Sequence, residues 1–348
     1  MGNVYIVRLK FASPLHIGAD IPAIGEETIQ DIIHSDTIFS AIINNYAGIS
    51  DKKENIKRLF EEFNTGEAPF KLSSGYIYSS PKGKSPCYYL PRPSVDPPDF
   101  FQKSHGAFNR IKYGKVVRET RLVDLRIINN WINNKTVLGM IEDCNKQYKD
   151  THIIEVRPRH ARDRISDDTN IFHTGLLHLR TDSGIYFLIE INEKSKYFNI
   201  NILEAVLNAM KWTGLGGKIS SGLGSIADFD MQKVDSDETW ENLMKLPDQE
   251  YSLSISLFYP WTSKAFLPDK YVAYRLIDRR GWTYSTSVPI QVRRKNCTMF
   301  AEGSVVHSGC SGSLVNVTPD EFREHHDIYR NGLLFGLPMK KYWGDCIE

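Results

Sequence analysis

Residues 214–224 read Gly-Leu-Gly-Gly-Lys-Ile-Ser-Ser-Gly-Leu-Gly, and this stretch holds five glycines, two serines and one lysine. Apolar residues precede it at spacings of three and four, which predicts an amphipathic helix over 202–213. The alternating residues 225–231 that follow are typical of a short strand. A glycine-rich connection from a helix to a strand is therefore the feature from which the fold is assigned.

The loop also predicts contact with an anion. Glycine tolerates positive φ and lets the backbone pass close to a ligand, so successive N–H groups can surround a negative charge. The lysine adds a cation, and the serines add hydroxyl donors. The alternative is a turn that merely ends the helix, although an ordinary C-cap needs one glycine rather than five. The residues expected to contact a phosphate backbone are Gly214, Gly216, Gly217, Lys218, Ser220, Ser221 and Gly222.

Two other nucleotide-binding motifs do not match this loop. A Walker loop needs serine or threonine after its lysine, and here Ile219 follows Lys218. A dinucleotide fingerprint lies between a strand and the helix that follows it, whereas this loop runs from a helix to a strand.

Composition describes an ordinary globular chain. With 348 residues, 41% apolar and 24% charged, it is long enough for about two domains. It has neither the apolar run of a membrane helix nor the pattern of a signal peptide, so we expect no membrane contact. Its five cysteines are widely and irregularly spaced. That spacing excludes a zinc CxxC pair and predicts reduced thiols in the cytoplasm.

Positive charge is local, because the formal net charge is only +1. Basic residues concentrate in 101–126 and again in 157–164. Such clusters are often solvated surface, but arginine also binds phosphate in a bidentate manner. The second cluster supplies Arg157, Arg159, Arg162 and Arg164 as candidate contacts to nucleic acid.

The first half of the chain predicts a βαββαβ order with insertions. Alternation from Tyr5 to Phe11 predicts the first strand, and an apolar stripe after Ser35 or Asp36 predicts the first helix. The arginine-rich segment lies between two predicted strands, which favours a long hairpin. Further strands are expected at 70–78, 87–90, 153–156 and 184–191, and a second amphipathic helix at 56–63.

Two irregular segments divide the chain. Four prolines in 91–98 interrupt regular structure, so about 92–151 is interpreted as an inserted arm. The polar, acidic segment 235–249 is interpreted as a linker. The second half then opens with alternation like that of the first. We therefore predict an α+β protein of two ferredoxin-like, RRM-like βαββαβ domains, residues 1–234 and 250–348.

Several motifs resemble a known family. Phe11-Ala-Ser-Pro-Leu-His-Ile-Gly18 and His34-Ser-Asp-Thr-Ile-Phe-Ser-Ala41 resemble the N-terminal half of RAMP-superfamily proteins. Residues 214–224 are similar to the glycine-rich loop of that superfamily. Three later motifs resemble subunit four of the type III-A CRISPR interference complex: Arg280-Gly-Trp282, Met299-Phe-Ala-Glu-Gly-Ser304 and Asp327-Ile-Tyr-Arg-Asn-Gly332.

The resemblance implies a crRNA-binding subunit that holds the repeat-derived 5′ tag of the guide. It implies docking to a large palm-domain subunit and to a RAMP backbone subunit, with target RNA met only through the guide duplex. It implies neither nuclease nor cyclase activity, and we expect no cofactor and no metal. By position, about 155–180 would be a thumb-like hairpin that includes the pair Asp163-Arg164.

Two polar residues in the N-terminal motifs have open roles. His16 is a candidate for stacking on a base, or else a structural hydrogen-bond donor. Ser35 is a candidate phosphate contact, or else the N-cap of the first helix.

Three other functions remain as alternatives. A RAMP endoribonuclease could use His16 or His34, although such enzymes tend to carry the glycine loop near the C-terminus. Metal-dependent hydrolysis at 324–327 is disfavoured because its histidines are adjacent rather than four apart. A scaffold that binds only protein would leave the glycine loop and the arginines without a purpose.

Overall fold

The computed structural model describes residues 2–18, 29–50, 52–162, 169–244, 249–260, 271–283, 285, 288 and 291–341. These residues form a mixed α+β protein, which confirms the predicted class. The helices are α1 (Ser35–Ile49), α2 (Lys53–Asn64), α3 (Gly106–Glu119), α4 (Leu125–Ile132), α5 (Leu138–Lys149), α6 (Ile200–Thr213) and α7 (Glu238–Met244). The strands of the first half are β1 (Asn3–Phe11), β2 (Phe70–Leu72), β3 (Tyr76–Ser79), β4 (Cys87–Pro91), β5 (Leu122–Asp124), β6 (His152–Arg162), β7 (Thr169–Leu179), β8 (Ser183–Ile191) and β9 (Ile226–Lys233). Those of the second half are β10 (Tyr251–Ser254), β11 (Tyr271–Ala273), β12 (Leu276–Arg279), β13 (Cys297–Phe300), β14 (Val305–His307), β15 (Gly312–Asn316), β16 (Tyr329–Leu333) and β17 (Gly336–Met339).

A central antiparallel sheet organises the first half. Its strand order is β5-β4-β3-β8-β1-β9, and β2 pairs with one end of β8. The inner strand β1 pairs with β8 on one side and with β9 on the other. Helices α1 and α6 connect strands that are not neighbours, so both helices cross the same sheet.

Both faces of this sheet are buried. In β1, Ile6 faces one core while Val7 and Leu9 face the other, as strand alternation requires. Helices α1, α2 and α6 cover the Val7 face. Helices α4, α5 and α7, together with β10, β14 and β17, cover the Ile6 face. This double burial explains why β8 is almost continuously apolar.

The predicted inserted arm at 92–151 is packed into the core, so an extended arm is not confirmed. Strand β5 pairs with β4 and extends the central sheet. Helix α4 buries Ile127, Ile128 and Trp131 completely. The prolines of 91–98 indicate irregular structure. The apolar residues of α4, which recur at helical spacing, nevertheless pack the segment against the core.

The predicted linker at 235–249 also carries structure. Helix α7 lies within it, and both Trp240 and Leu243 are fully buried in the core beneath the central sheet. The acidic residues around Trp240 and Leu243 are typical of a linker, so the sequence pattern did not predict this short helix.

A second βαββαβ unit is not confirmed. The second half forms a four-stranded sheet, β11-β14-β10-β17, and the two-stranded pairs β12-β13 and β15-β16. The described residues of 249–341 contain no α-helix. Helices from outside this segment pack against its strands instead, since α1 contacts β16 and α7 contacts β17.

Candidate nucleic-acid interface

The glycine-rich loop is closed by hydrogen bonds within the protein. Gly214 ends α6 with φ of 75°, and the N–H of Leu215 donates to the Gly224 carbonyl at 2.9 Å. The N–H of Gly224 donates to Pro14, and that of Gly217 donates to His16, each at 2.8 Å. The first bond closes the loop and the other two hold it against residues 14–16, so these three N–H groups do not face outward as an anion cradle.

Close packing explains three of the glycines. A Cβ on Gly217 would lie 2.8 Å from Cδ2 of His16, and one on Gly216 would lie 3.0 Å from the His16 carbonyl oxygen. A Cβ on Gly224 would lie 2.0 Å from the carbonyl oxygen of Leu215. The exposed tip of the loop is Ser220, Ser221 and Gly222. The tip, rather than the whole loop, is open to a ligand.

Lys218 joins the loop to the hairpin formed by β6 and β7. Its backbone is left-handed, with φ of 56°, a conformation that costs about 1–2 kcal/mol outside glycine. Its Nζ donates to Oγ1 of Thr174 at 2.9 Å and lies 5.6 Å from the ring centroid of Phe172. The lysine charge is thus held at the edge of the hairpin.

Two of the predicted arginines lie on the same face of this hairpin as the Lys218 contacts. Arg157 pairs with Thr174 and Arg159 pairs with Phe172 in the antiparallel register, so all four side chains share one face. Both arginines are exposed, and Phe172 is 39% exposed. Nε of Arg157 also donates to Glu155 at 2.6 Å, which neutralises part of its charge. We call Arg157, Arg159, Phe172, Thr174 and Lys218 the hairpin face.

The other two predicted arginines are less well defined. Arg162 ends β6 and is described only in its backbone, opposite Thr169. Arg164 lies outside the described residues, as does Asp163.

His16 is a structural residue in this arrangement. It is 8% exposed, and its Nδ1–H donates to the Gly175 carbonyl at 2.9 Å. Its own carbonyl accepts from Gly217. His16 therefore ties β7 to the glycine loop, and so little of it is exposed that base stacking is disfavoured.

Ser35 lies in the interior, so the predicted phosphate contact is corrected. It is completely buried, and its Oγ accepts a hydrogen bond from the N–H of Leu257 at 3.1 Å. Its N–H donates to Oγ of Ser74 at 2.9 Å. It caps no helix N–H through its side chain, so the N-cap alternative fails too. Instead Ser35 joins the two halves of the chain.

The same interior contains two clusters of buried ionisable side chains that join the halves. Asp36 accepts hydrogen bonds from Arg279, at 2.9 and 3.1 Å, and from Arg330. Burial alone would raise the pKa of Asp36, but the two guanidinium groups hold it far below its usual value. Nδ1 of His34 lies 2.7 Å from Glu302, and this contact lowers the pKa of Glu302 against the effect of burial. We call these five residues the ionic seam.

The first basic cluster, 101–126, is largely paired. Arg121 lies 3.3 Å from Asp31 and Arg126 lies 2.8 Å from Asp124. Arg110 lies 3.4 Å from Asp96 and stacks on Phe100. These pairs agree with the solvated-surface interpretation of that cluster.

No described residues form a group of three or more metal-ligating side chains. In the 324–327 segment, His325 and His326 pack against Phe322, and His326 lies 2.9 Å from Oγ of Ser285. Within the described part of the chain, no helix is both long and apolar enough to cross a bilayer.

The sequence did not predict that Phe172 and Thr174 belong to the candidate interface. The signal for them was the hairpin register, since a strand opposite Arg157 and Arg159 must place two residues on their face. That register cannot be read from 157–164 alone.

Comparison with known proteins identifies the class. The RAMP superfamily model matches residues 8–227, and the model of the CRISPR Csm4 C-terminal domain matches residues 247–339. Because the first match spans more than half of the chain, the chain belongs to the RAMP superfamily. The second match and the motif resemblance point to the same subunit, so the resemblance inferred from the motifs is confirmed.

Individual relatives agree with this. The CRISPR system Cms protein Csm4 of Methanocaldococcus jannaschii is 26% identical over 382 residues, covering 97% of both chains. The same protein of Thermococcus onnurineus is 26% identical over 314 residues, covering 89% of this chain and 93% of the relative.

Solved structures share the fold. A chain of the Csm3-Csm4 subcomplex of the type III-A CRISPR-Cas interference complex matches with TM-score 0.62 at 19% identity, covering 97% of this chain and 100% of that one. A chain of a Csm1-Csm4 cassette in complex with cA4 matches with TM-score 0.59 at 20% identity, covering 97% and 98%.

Proposed function

We propose that this protein is the crRNA-binding subunit of a type III-A CRISPR effector complex, and that it holds the 5′ tag of the guide. The observation that carries the proposal is the hairpin face. This face brings together two exposed arginines, one lysine and a partly exposed phenylalanine ring. It lies beside the glycine-rich loop that resembles that of RAMP proteins. Cationic groups interleaved with an aromatic ring suit single-stranded RNA.

The side chains of the hairpin face would contact different parts of the RNA, according to their chemistry. Arg157, Arg159 and Lys218 would contact phosphates and so fix the path of the strand without reading its sequence. Phe172 would stack on a base, and the hydroxyls of Ser220 and Ser221 would donate to the backbone. Lys218 would connect the glycine loop to the hairpin face, because its left-handed backbone places Nζ against Thr174.

We propose its partners from its relatives. Solved assemblies pair Csm4 with Csm1 and with Csm3. By analogy this chain would dock to a large palm-domain subunit and to a RAMP backbone subunit in the cytoplasm, and would meet target RNA through the guide. We further propose that 1–234 is one ferredoxin-like RAMP domain with β6–β7 as its thumb-like hairpin, and that 250–348 is a second unit fused to it through a shared core.

A binding role without catalysis fits the two candidate histidines best. His16 is held in a hydrogen bond to Gly175 and His34 in a buried contact with Glu302, so neither is offered to a scissile phosphate. Incubation with repeat RNA tests this directly. Specific cleavage that is lost in His16→Ala, with the fold retained, would establish the ribonuclease instead.

The assembled complex gives the test of the proposed function. The protein is co-expressed with the palm-domain subunit, the backbone subunit and a CRISPR array, and the purified complex is analysed for bound RNA. We expect RNA with one defined 5′ end that carries repeat sequence. Lys218→Gly removes the charge and suits the left-handed backbone, so it should weaken 5′-end protection against nuclease without loss of assembly. A stable complex that contains this protein but no such RNA would refute the proposal.

A further inference from the structure

A second concentration of positive charge lies in the second half of the chain, away from the hairpin face. Between β12 and β13 the sequence turns back on itself, since the N–H of Thr283 donates to Val292 and that of Arg294 donates to Gly281, at 2.8 and 2.9 Å. The turn brings five cations of the sequence into one region, and Arg330 reaches it from β16 through a bond to the Arg280 carbonyl at 2.7 Å. The five cations are Arg279, Arg280, Arg293, Arg294 and Lys295.

Acidic partners do not balance this region. Arg279 and Arg330 share the single carboxylate of Asp36. Arg280 and Lys295 have exposed partners at 3.7 and 2.9 Å, namely Asp278 and Asp320.

Two arginines of this region have no carboxylate partner in the part of the chain that the structure describes. Among the described residues, neither Arg293 nor Arg294 has a carboxylate within ion-pair distance. Burial and the like charges of Arg330 and Arg279 lower the pKa of Arg294 to about 10, although the carboxylate of Asp36 opposes this shift.

An exposed aromatic ring lies in the same turn. The guanidinium of Arg293 is stacked 5.3 Å from the ring centroid of Trp282, and the two residues form a β-bridge. Trp282 is nevertheless 55% exposed. Nε of Arg294 donates to the backbone carbonyl of Trp282 at 2.7 Å, which fixes the turn, while Arg293 alone stacks on the ring. The result is an exposed π surface with one exposed cation, Arg293, stacked on it.

We propose that Trp282 and Arg293 form a second contact site for single-stranded RNA, with a phosphate at the arginine and a base on the indole. The choice of RNA as ligand rests on the proposed function, whereas the site itself does not involve the hairpin face. An acidic peptide would pair with Arg293, but it would leave the exposed face of the indole without a contact. Alternating base and phosphate satisfies both.

The test uses the full-length chain and a labelled, unstructured single-stranded RNA, with affinity measured by fluorescence anisotropy across a salt series. Trp282→Ala should weaken binding about tenfold with an unchanged salt slope, because stacking carries no charge, and Trp282→Phe should retain most of the affinity. Arg293→Glu should lower the salt slope by about 0.7, as expected for one lost phosphate contact. Arg293 is exposed, and among the described residues its side chain packs on Trp282, so we expect this variant to keep the fold.

Matched variants separate the outcomes. Arg58→Glu makes the same charge change on the exposed face of α2 and should leave binding unchanged. If the Trp282 and Arg293 variants bind like the unaltered protein while Arg157→Ala/Arg159→Ala binds weakly, this inference fails and the proposed function stands. If unaltered protein binds no RNA, both fail. If polyglutamate displaces RNA from this site as well as RNA itself does, the ligand is an acidic protein surface and the inference is overturned.

Discussion

Asp36 lies near the start of a helix in the first half of the chain and also binds two arginines of the second half. It sits in the first turn of α1, where a carboxylate is favoured by the helix dipole, and it is also the sole described carboxylate that Arg279 and Arg330 contact. Three charges are buried there together, so removing the carboxylate leaves two guanidinium groups uncompensated. The motif that resembles RAMP proteins at 34–41 is therefore explained by assembly of the fold.

Asp36→Asn should destabilise the protein by about 3–5 kcal/mol at neutral pH, because it breaks a buried ion pair. Since the folded-state pKa of Asp36 is depressed, its contribution is fully present above its unfolded pKa of about 3.9 and is lost as pH falls through the folded value. The difference between variant and unaltered protein should thus be constant from about pH 8 to 5 and shrink below about pH 4. Urea unfolding across this range measures it.

Asp320→Asn is the control for that series. Asp320 is also paired, with Lys295 and Arg323, but these contacts are exposed to water. Unfolding should therefore change little. A loss as large as that of Asp36→Asn would mean that burial of the seam does not matter, contrary to this account.

At the scale of elements, the glycine loop and the hairpin work as one unit through His16. The loop's N–H groups hold residues 14–16, and His16 in turn holds β7. From the sequence, a loop between helix and strand and a long hairpin were both predictable, because periodicity and glycine content are local signals. Their mutual contact was not predictable, since the bond from Lys218 to Thr174 joins residues 44 apart.

Gly217→Ala should destabilise the loop by about 1–3 kcal/mol, because the new methyl group would meet the ring of His16 at 2.8 Å. The reason differs from the one the sequence suggested, which was obstruction of an approaching RNA backbone. Gly114→Ala is the matched control, since nothing lies within 4 Å of its Cβ in α3 and helix propensity favours alanine. Thermal unfolding compares them. Equal melting temperatures would contradict the proposed packing of the loop.

At the scale of the whole molecule, the halves are joined by one core. Beneath the central sheet, Trp131 of the first half and Trp240 of α7 pack in the same cluster as Leu253 and Leu337 of the second half. The sequence predicted a linker and an arm here because acidic residues and prolines are local signs of irregular structure. Burial of Trp240 depends on strands that come later in the chain, so no local pattern reveals it.

This shared core predicts a single cooperative unfolding transition. Far-UV circular dichroism and tryptophan fluorescence should follow the same curve, and Trp240→Ala should shift both together by about 3–5 kcal/mol. Leu243→Ala, one turn along α7, should act in the same direction with a smaller effect. Two separable transitions, of which Trp240→Ala moves only one, would show independent domains instead.

The salt dependence of RNA binding tests the central claim, that the guide lies along the hairpin face. Affinity for single-stranded RNA is measured from low to high salt for the unaltered protein and for Arg157→Ala/Arg159→Ala, with Arg58→Ala/Arg323→Ala as a control for net charge. The account predicts that the hairpin variant lowers the slope of log affinity against log salt by about 1.4, two contacts at about 0.7 each, while the control leaves it unchanged. An unchanged slope in the folded hairpin variant would contradict it.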